Sequence, residues 1–380
     1  MRPGARINAA VEVLTEVLER HRPASVALAD WGKSHRFAGS GDRAAIGNLV
    51  YDALRRRQSL AARMGSASAR ALAIAAASGA LALSPEEVIA VADGVGHALP
   101  PLSATEQAGL RRDLQAGMGG HVEGDYPEWL APSFARAFGD RAAEEGKGLA
   151  CRAPVDIRVN TLKADRDKLV KALSRHAPEP TVLSPVGLRI RPPEGPGRTP
   201  NLEAEPAHGK GWFEIQDEGS QIAALMTGAS PRQQVLDLCA GAGGKTLAMA
   251  AQMKNTGQIY AYDSNAQQLR PIFERLKRAG VRNAQVLDAG GEAALEGLGA
   301  RFDVVLVDAP CTGSGVWRRR PDAKWRVKPA NLEERQSEQR RVLDQAARCV
   351  RNGGRIVYVT CSVLPEENSD TIAWFCSAHD

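Results

Sequence analysis

Residues 304–325, V-V-L-V-D-A-P-C-T-G-S-G-V-W-R-R-R-P-D-A-K-W, restrict the fold more than any other stretch of the chain. Val304, Val305, Leu306 and Val307 form an apolar, mostly β-branched run suited to a strand buried on both faces of a parallel sheet. Pro310 cannot donate to a sheet ladder, so the strand is expected to stop there and present Asp308 and Cys311 at its carboxyl edge. Open α/β sheets hold their ligands at that edge. A small-residue loop, Thr312-Gly313-Ser314-Gly315, leads to Arg318, Arg319, Arg320, Lys324 and Arg326 between Trp317 and Trp325. A carboxylate, a thiol, a flexible loop and cations with indoles suit chemistry on a nucleobase within a polyanion. Cys311 by itself would more often be a buried structural thiol. The order of the parts gives the stretch its meaning.

The surrounding sequence repeats a strand–helix alternation. Gln234-Val235-Leu236-Asp237-Leu238 reads as a strand, followed by a glycine-rich turn, Cys239-Ala240-Gly241-Ala242-Gly243-Gly244-Lys245-Thr246, that opens a helix. Strands are expected again at 259–263, 284–288 and 302–308, and a helix over 331–350 leads to a last strand at 355–359. Such repeats predict a doubly wound, mostly parallel sheet. The turn lets a ligand approach the backbone closely, and Asp263, about twenty residues on, is placed to take both hydroxyls of a ribose. NAD, a nucleoside triphosphate and S-adenosylmethionine all fit that plan. The glycines lack the dinucleotide spacing, and Gly-Gly-Lys-Thr lacks the first glycine of a phosphate loop. S-adenosylmethionine needs a carboxylate for its ribose and a polar group for its adenine, supplied here by Asp263 and Asp288. The candidate cofactor residues are therefore Cys239, Ala240, Gly241, Ala242, Gly243, Gly244, Lys245, Asp263 and Asp288.

A second cysteine narrows the chemistry. The last strand ends Tyr358-Val359-Thr360-Cys361-Ser362, followed by Val363-Leu364-Pro365-Glu366-Glu367-Asn368. Parallel strands end on one edge, so Cys361 and Cys311 are expected to share a pocket beside Asp308. With D-A-P-C-T-G-S-G-V, R-R-P-D-A-K-W and T-C-S-V-L-P-E-E-N, the chain from about 154 to 376 resembles the Sun/Nop family of RNA cytosine-5 methyltransferases, particularly its bacterial members acting on 16S ribosomal RNA. Gly241-Ala242 stands where that family often has Ala-Pro, which loosens the turn but keeps its glycines. The resemblance implies that Cys361 adds to cytosine C6, that Cys311 assists loss of the C5 proton and release, and that Asp308 meets the N3/N4 edge near the cofactor. Cytosine-5 enzymes of DNA use the Pro-Cys thiol instead, so the added Thr-Cys thiol points to RNA.

Residues 1–140 show helical spacing and resemble, loosely, the NusB-like helical domain of some RNA methyltransferases. Ser84-Pro85-Glu86-Glu87 is a helix start. Residues 145–225 read as a small α+β module, RRM-like, whose Arg158, Asn160 and Lys163 are candidates for RNA backbone contact along with Arg318, Arg319, Arg320 and Lys324. Residues 226–380 form the Rossmann-like methyltransferase domain. It is expected to lack the last two of the usual seven strands, as from a shortened gene, leaving an exposed edge on the final strand. A net charge of +5 permits a nucleic-acid partner without demanding one. The six cysteines contain no zinc spacing and suit reduced thiols, and no apolar run reaches membrane-spanning length. The expectation is a multidomain, cytoplasmic, monomeric RNA methyltransferase without a metal or membrane partner. Its rivals are a tRNA enzyme of the same chemistry and a non-catalytic ribosome-assembly protein. A Rossmann oxidoreductase is a distant third.

Overall fold

The computed structural model describes residues 1–113, 117–288 and 295–379. Helices fill the first 150 residues. Pro3–Leu18, Ser40–Arg55 and Ala69–Ala80 pack around Ile7, Leu14, Ile46, Leu49, Leu72 and Ile74, all fully buried. The alanines of the third of these helices bring the backbones close and add little side-chain entropy cost. Ser84 caps its helix as expected: its hydroxyl accepts from the Glu87 N–H at 3.2 Å, and Glu87 Oε2 accepts from the Ser84 N–H at 2.7 Å.

An antiparallel sheet follows, in the order β2-β3-β1-β4, from β1 (Val155–Val159), β2 (Glu179–Pro180), β3 (Gly187–Ile190) and β4 (Phe213–Ile215). One face packs Ile157, Val159, Leu188 and Phe213 on the helix Arg166–Ala172. The polar face was expected to meet solvent, and there the structure corrects the sequence reading. Arg158 is buried, donating to Gln216 Oε1 at 2.7 Å and to the Gly244 carbonyl. Asn160 is buried too, its amide donating to the Gly211 and Ala279 carbonyls, each at 2.8 Å. Alternation identifies a two-faced strand but not what covers the second face. Here the covering surface is the next unit, so these two side chains join units and cannot grip RNA.

That next unit is a parallel sheet in the order β7-β6-β5-β8-β9, built from β5 (Gln234–Asp237), β6 (Gln258–Ala261), β7 (Ala284–Val286), β8 (Phe302–Asp308) and β9 (Val350–Val359). The run in β8 is buried on both faces: Val304 and Leu306 pack with Val235, Met249 and Ile259, and Val305 and Val307 with Leu236, Tyr262 and Ala346. The helix Pro329–Cys349 passes directly into β9, whose pairing with β8 shifts register between Phe302 and Val304. Among the described residues no strand pairs with the outer edge of β9.

The R-R-P-D-A-K-W motif docks the helical region onto this sheet. Lys324 is 1% exposed, between Trp317 and Trp325, and its ammonium donates to the Arg55 carbonyl at 2.7 Å and to the Asp125 carbonyl. Asp322 accepts from the Ala24 N–H, and the Trp325 indole donates to the Leu54 carbonyl at 2.6 Å. Lys324 is therefore an interior residue and not the RNA contact expected from its cationic run. Burial pushes its pKa down to about 7. Between pH 7 and 10 the unfolded chain then holds a proton that the folded one lacks, so stability rises with pH across that window by up to about 1.4 kcal/mol per unit. Denaturant titrations at pH 7, 8 and 9 are expected to show that rise, and Lys324→Met to flatten it. An equal slope in both proteins would refute a neutral Lys324.

Candidate active site

β5 turns at its carboxyl end into the glycine loop, and the helix Gly244–Gln252 starts from Gly243 in a left-handed conformation, φ 81°. A Cβ on Gly243 would lie 2.4 Å from Ile272 Cγ1, so only glycine allows the loop to pack there. The Gly241 N–H donates to Asp263 Oδ2 and the Asn265 N–H to Asp263 Oδ1, both at 2.8 Å, which ties the ends of β5 and β6 together. A cavity of about 980 Å³ opens above, lined by Cys239, Ala240, Gly241, Ala242, Gly244 and Lys245 of the loop and by Asp263, Asp308 and Cys361. Asn265 and Gln268 supply polar groups beyond Asp263. Asp288 lies exposed at the end of β7, one strand further out, and is not among the lining residues. Gly243 supports the loop from behind.

Of the two polar side chains of Gly-Gly-Lys-Thr, Thr246 turns into the protein and Lys245 lines the cavity paired with a carboxylate. Lys245 Nζ lies 2.5 Å from Asp308 Oδ2, and the Thr246 hydroxyl donates at 2.6 Å to Asp237 Oδ2. Neither is free to hold a nucleotide phosphate or its magnesium, as a phosphate loop requires. Asp237 is wholly buried at the end of β5, and burial raises its pKa to about 7. Burial also pushes the Cys239 thiol up, so it serves as loop backbone and filler rather than as a nucleophile. The carboxylate, backbone and amide lining suits a nucleoside carrying a sulfonium. Asp263→Ala is expected to weaken S-adenosylmethionine binding about 10- to 150-fold, the equivalent of about 1.5–3 kcal/mol for a charge-assisted pair. Calorimetry giving an unchanged Kd would remove Asp263 from that site.

Cys311 and Cys361 leave the adjacent ends of β8 and β9 with their sulfurs 3.3 Å apart. The hydrogen bond between the two sulfurs, which either can donate, holds the Cys361 thiol below its usual range, with the charge of Lys245 adding to it, whereas Cys311 is held above it. A bed of hydrogen bonds fixes the two loops. The Gly315 N–H donates to the Cys361 carbonyl at 2.9 Å, and Ser314 Oγ accepts from the Val363 N–H at 2.8 Å. Asn368 donates to the Ser362 and Leu364 carbonyls, each at 3.0 Å. Behind Cys311, Gln339 donates to the Pro310 carbonyl at 2.9 Å and to Glu367 Oε1 at 3.1 Å. Sequence reasoning quoted Glu367 and Asn368 within a motif and did not see Gln339 at all. A glutamine at a helical core position is the one signal it offered.

The remaining cations divide. Arg319 is paired with Asp217 of the second unit, and the Lys163 ammonium donates to the Arg278 carbonyl at 2.7 Å. Arg320 is exposed. Arg318 lines a second cavity of about 710 Å³ together with Arg152, Arg189 and Arg191.

A parallel sheet with a ligand cavity over a glycine loop and two strand-end acids is the arrangement of the Rossmann-like S-adenosylmethionine methyltransferase fold. Residues 224–380 match the family described as 16S rRNA methyltransferase RsmB/F, and residues 126–194 match the ferredoxin-like domain of RsmF/B-like methyltransferases. The chain belongs to the RsmB/F methyltransferase family. It is 32% identical over 256 residues to the ribosomal RNA small subunit methyltransferase B of Sodalis glossinidius (strain morsitans), covering 67% of this chain and 58% of that one. The protein of that name from Escherichia coli O6:K15:H31 (strain 536 / UPEC) is 32% identical over 255 residues, covering 66% and 57%. The chain thus spans less than two thirds of the length of these relatives. Among solved structures, PH0851 superposes with a TM-score of 0.74 at 24% identity over 100% of this chain and 90% of that one, a likeness of fold. NSun6 from Pyrococcus horikoshii with SFG gives 0.58 at 25% identity, covering 66% of this chain and 87% of that one.

Proposed function

We propose that the protein methylates C5 of a cytosine in RNA, 16S ribosomal RNA in particular, through a covalent bond between Cys361 and cytosine C6. The observation that carries this is the pair of sulfurs at 3.3 Å on neighbouring strand ends, with Asp308 and Lys245 beside them. Cytosine C5 is a poor nucleophile. The Cys361 thiolate adding at C6 turns the ring into an enamine whose C5 is nucleophilic, and the lowered pKa of Cys361 favours that thiolate. Bound S-adenosylmethionine supplies an electrophilic methyl group on sulfur. Asp308 orients the N3/N4 edge of the base. After methyl transfer, Cys311, having given its own thiol proton to water, takes the C5 proton, and the C6–S bond breaks to return the Cys361 thiolate. The target base must leave its stack to reach a cavity at a sheet edge.

The helical region is assigned as a NusB-like RNA-binding domain and the antiparallel unit as an RRM-like module, with Lys163, Arg318, Arg319 and Arg320 left as the backbone-contacting cations. The protein acts as a cytoplasmic monomer. No helix among the described residues is long and apolar enough to cross a membrane. Incubation of the protein with 16S ribosomal RNA and methyl-labelled S-adenosylmethionine, followed by nucleoside digestion, is expected to place the label in 5-methylcytidine. Label in any other nucleoside would defeat the reading. Label in 5-methylcytidine of tRNA but not of 16S RNA would favour the tRNA enzyme.

A further inference from the structure

The two sulfurs face each other at 3.3 Å and either can donate to the other, so something must decide which keeps its proton when one is lost. Glu367 stands behind Cys311, fully buried and with no cation within ion-pairing distance among the described residues. It accepts from the Thr312 N–H at 2.8 Å, from the Thr312 hydroxyl and from Gln339 Nε2 at 3.1 Å. Thr312 immediately follows Cys311 in the chain. The Thr312 N–H and the Gln339 amide both donate to Oε1, and the Thr312 hydroxyl meets Oε2, so both oxygens have partners. A buried charge is seldom kept without a cation unless its hydrogen bonds are satisfied, and these are.

We propose that Glu367 is a positioning residue for the proton: its buried charge keeps the proton on Cys311 and so leaves Cys361 as the attacking thiolate. The groups facing the pair from each side support this order. Lys245 and Asp308 stand on the cavity side beside Cys361, while Glu367 and the Tyr358 phenol, which donates to the Glu367 carbonyl at 2.8 Å, stand behind Cys311. The bond between the sulfurs is the main cause that raises Cys311 and lowers Cys361; Glu367 adds to the first effect and Lys245 to the second. In balance, Cys311 S–H hydrogen-bonds the Cys361 thiolate, and no proton is lost or gained when Cys361 attacks. Once Cys361 is bound to carbon, its charge is gone. Cys311 can then release its proton to water and act as the base for C5–H, a stronger one for the neighbouring carboxylate. This rests on the reading of Cys361 as nucleophile, but its test needs no RNA.

The test is alkylation of the protein by iodoacetamide across pH 6–10, with each cysteine mapped by mass spectrometry. In the unaltered protein Cys361 is expected to react at pH 7 and Cys311 to stay unreacted. Equal pH profiles for the two would overturn the proposal without any variant. Glu367→Gln keeps the size and removes the charge, and should lower the Cys361-to-Cys311 labelling ratio at pH 7 by about tenfold, the equivalent of one pKa unit. Gln339→Leu removes a hydrogen bond and keeps the charge, and should leave the ratio within about twofold. If both variants shift it equally, or neither does, Glu367 serves packing alone and the proposal fails. Selective labelling of Cys361 in a protein that forms no RNA adduct would instead fault the nucleophile reading and leave the proton order standing.

Discussion

Cys361→Ala is expected to lower methyl transfer by about 10⁴-fold or more, the scale of loss when a covalent nucleophile is removed. The sulfur contributes little to packing, because Cys361 is exposed at the mouth of the cavity. The variant should therefore fold, bind S-adenosylmethionine with unchanged affinity and bind RNA. All of the loss belongs in kcat. Uncatalysed attack by cytosine C5 on a sulfonium methyl lacks the enamine, and neither Asp308 nor Lys245 can create one. A residual rate within about tenfold of the unaltered protein would mean that the reaction does not pass through a Cys361 adduct.

Gly315→Ala is expected to have the next largest effect, about 10²-fold in turnover, for a geometric reason. A Cβ there would sit 2.6 Å from the Cys361 carbonyl oxygen, which is backbone and cannot rotate away. The Gly315 N–H also donates to that same oxygen at 2.9 Å, so the two loops must separate or the bond must tilt. Ordinary contact would require a shift approaching 1 Å, and misplacement on that scale costs about 10²-fold when reacting groups must be aligned. The cofactor loop is on β5, away from the clash, so affinity for S-adenosylmethionine should change by less than about threefold. Cofactor affinity and turnover falling together would locate the damage in the fold and not in the thiol.

These two positions were legible to different degrees. The strand of Val304 to Val307 could be read because an unbroken apolar run has one economical place in a parallel sheet, and it is buried on both faces. Asp308, Cys311 and Cys361 followed, since parallel strands bring their ends to one edge. The roles of Arg158, Asn160 and Lys324 did not follow. A cation or amide looks the same in the sequence, on or just past the strand Val155–Val159 or in the helix Pro321–Arg326, whether water or a neighbouring unit covers it, and all three turned out to hold backbone carbonyls at junctions between units. β2 and β4, of two and three residues, are too short to show a period. Gln339 and Glu367 act through pairing across 28 residues, a contact that no local pattern encodes. The glycine loop was readable as a ligand turn. Exclusion of a phosphate ligand came only with the pairing of Lys245 and Thr246 to carboxylates.

The division of labour between the thiols is tested most directly by Cys311→Ala incubated with RNA and S-adenosylmethionine, denatured, and run on a gel. The first bond should still form and the release step should fail, so protein and RNA are expected to migrate together as a complex stable to denaturant. Peptide mapping after nuclease digestion should place the nucleotide on Cys361. No complex, or a complex formed instead by Cys361→Ala and mapped to Cys311, would contradict the assignment of Cys361 as the nucleophile.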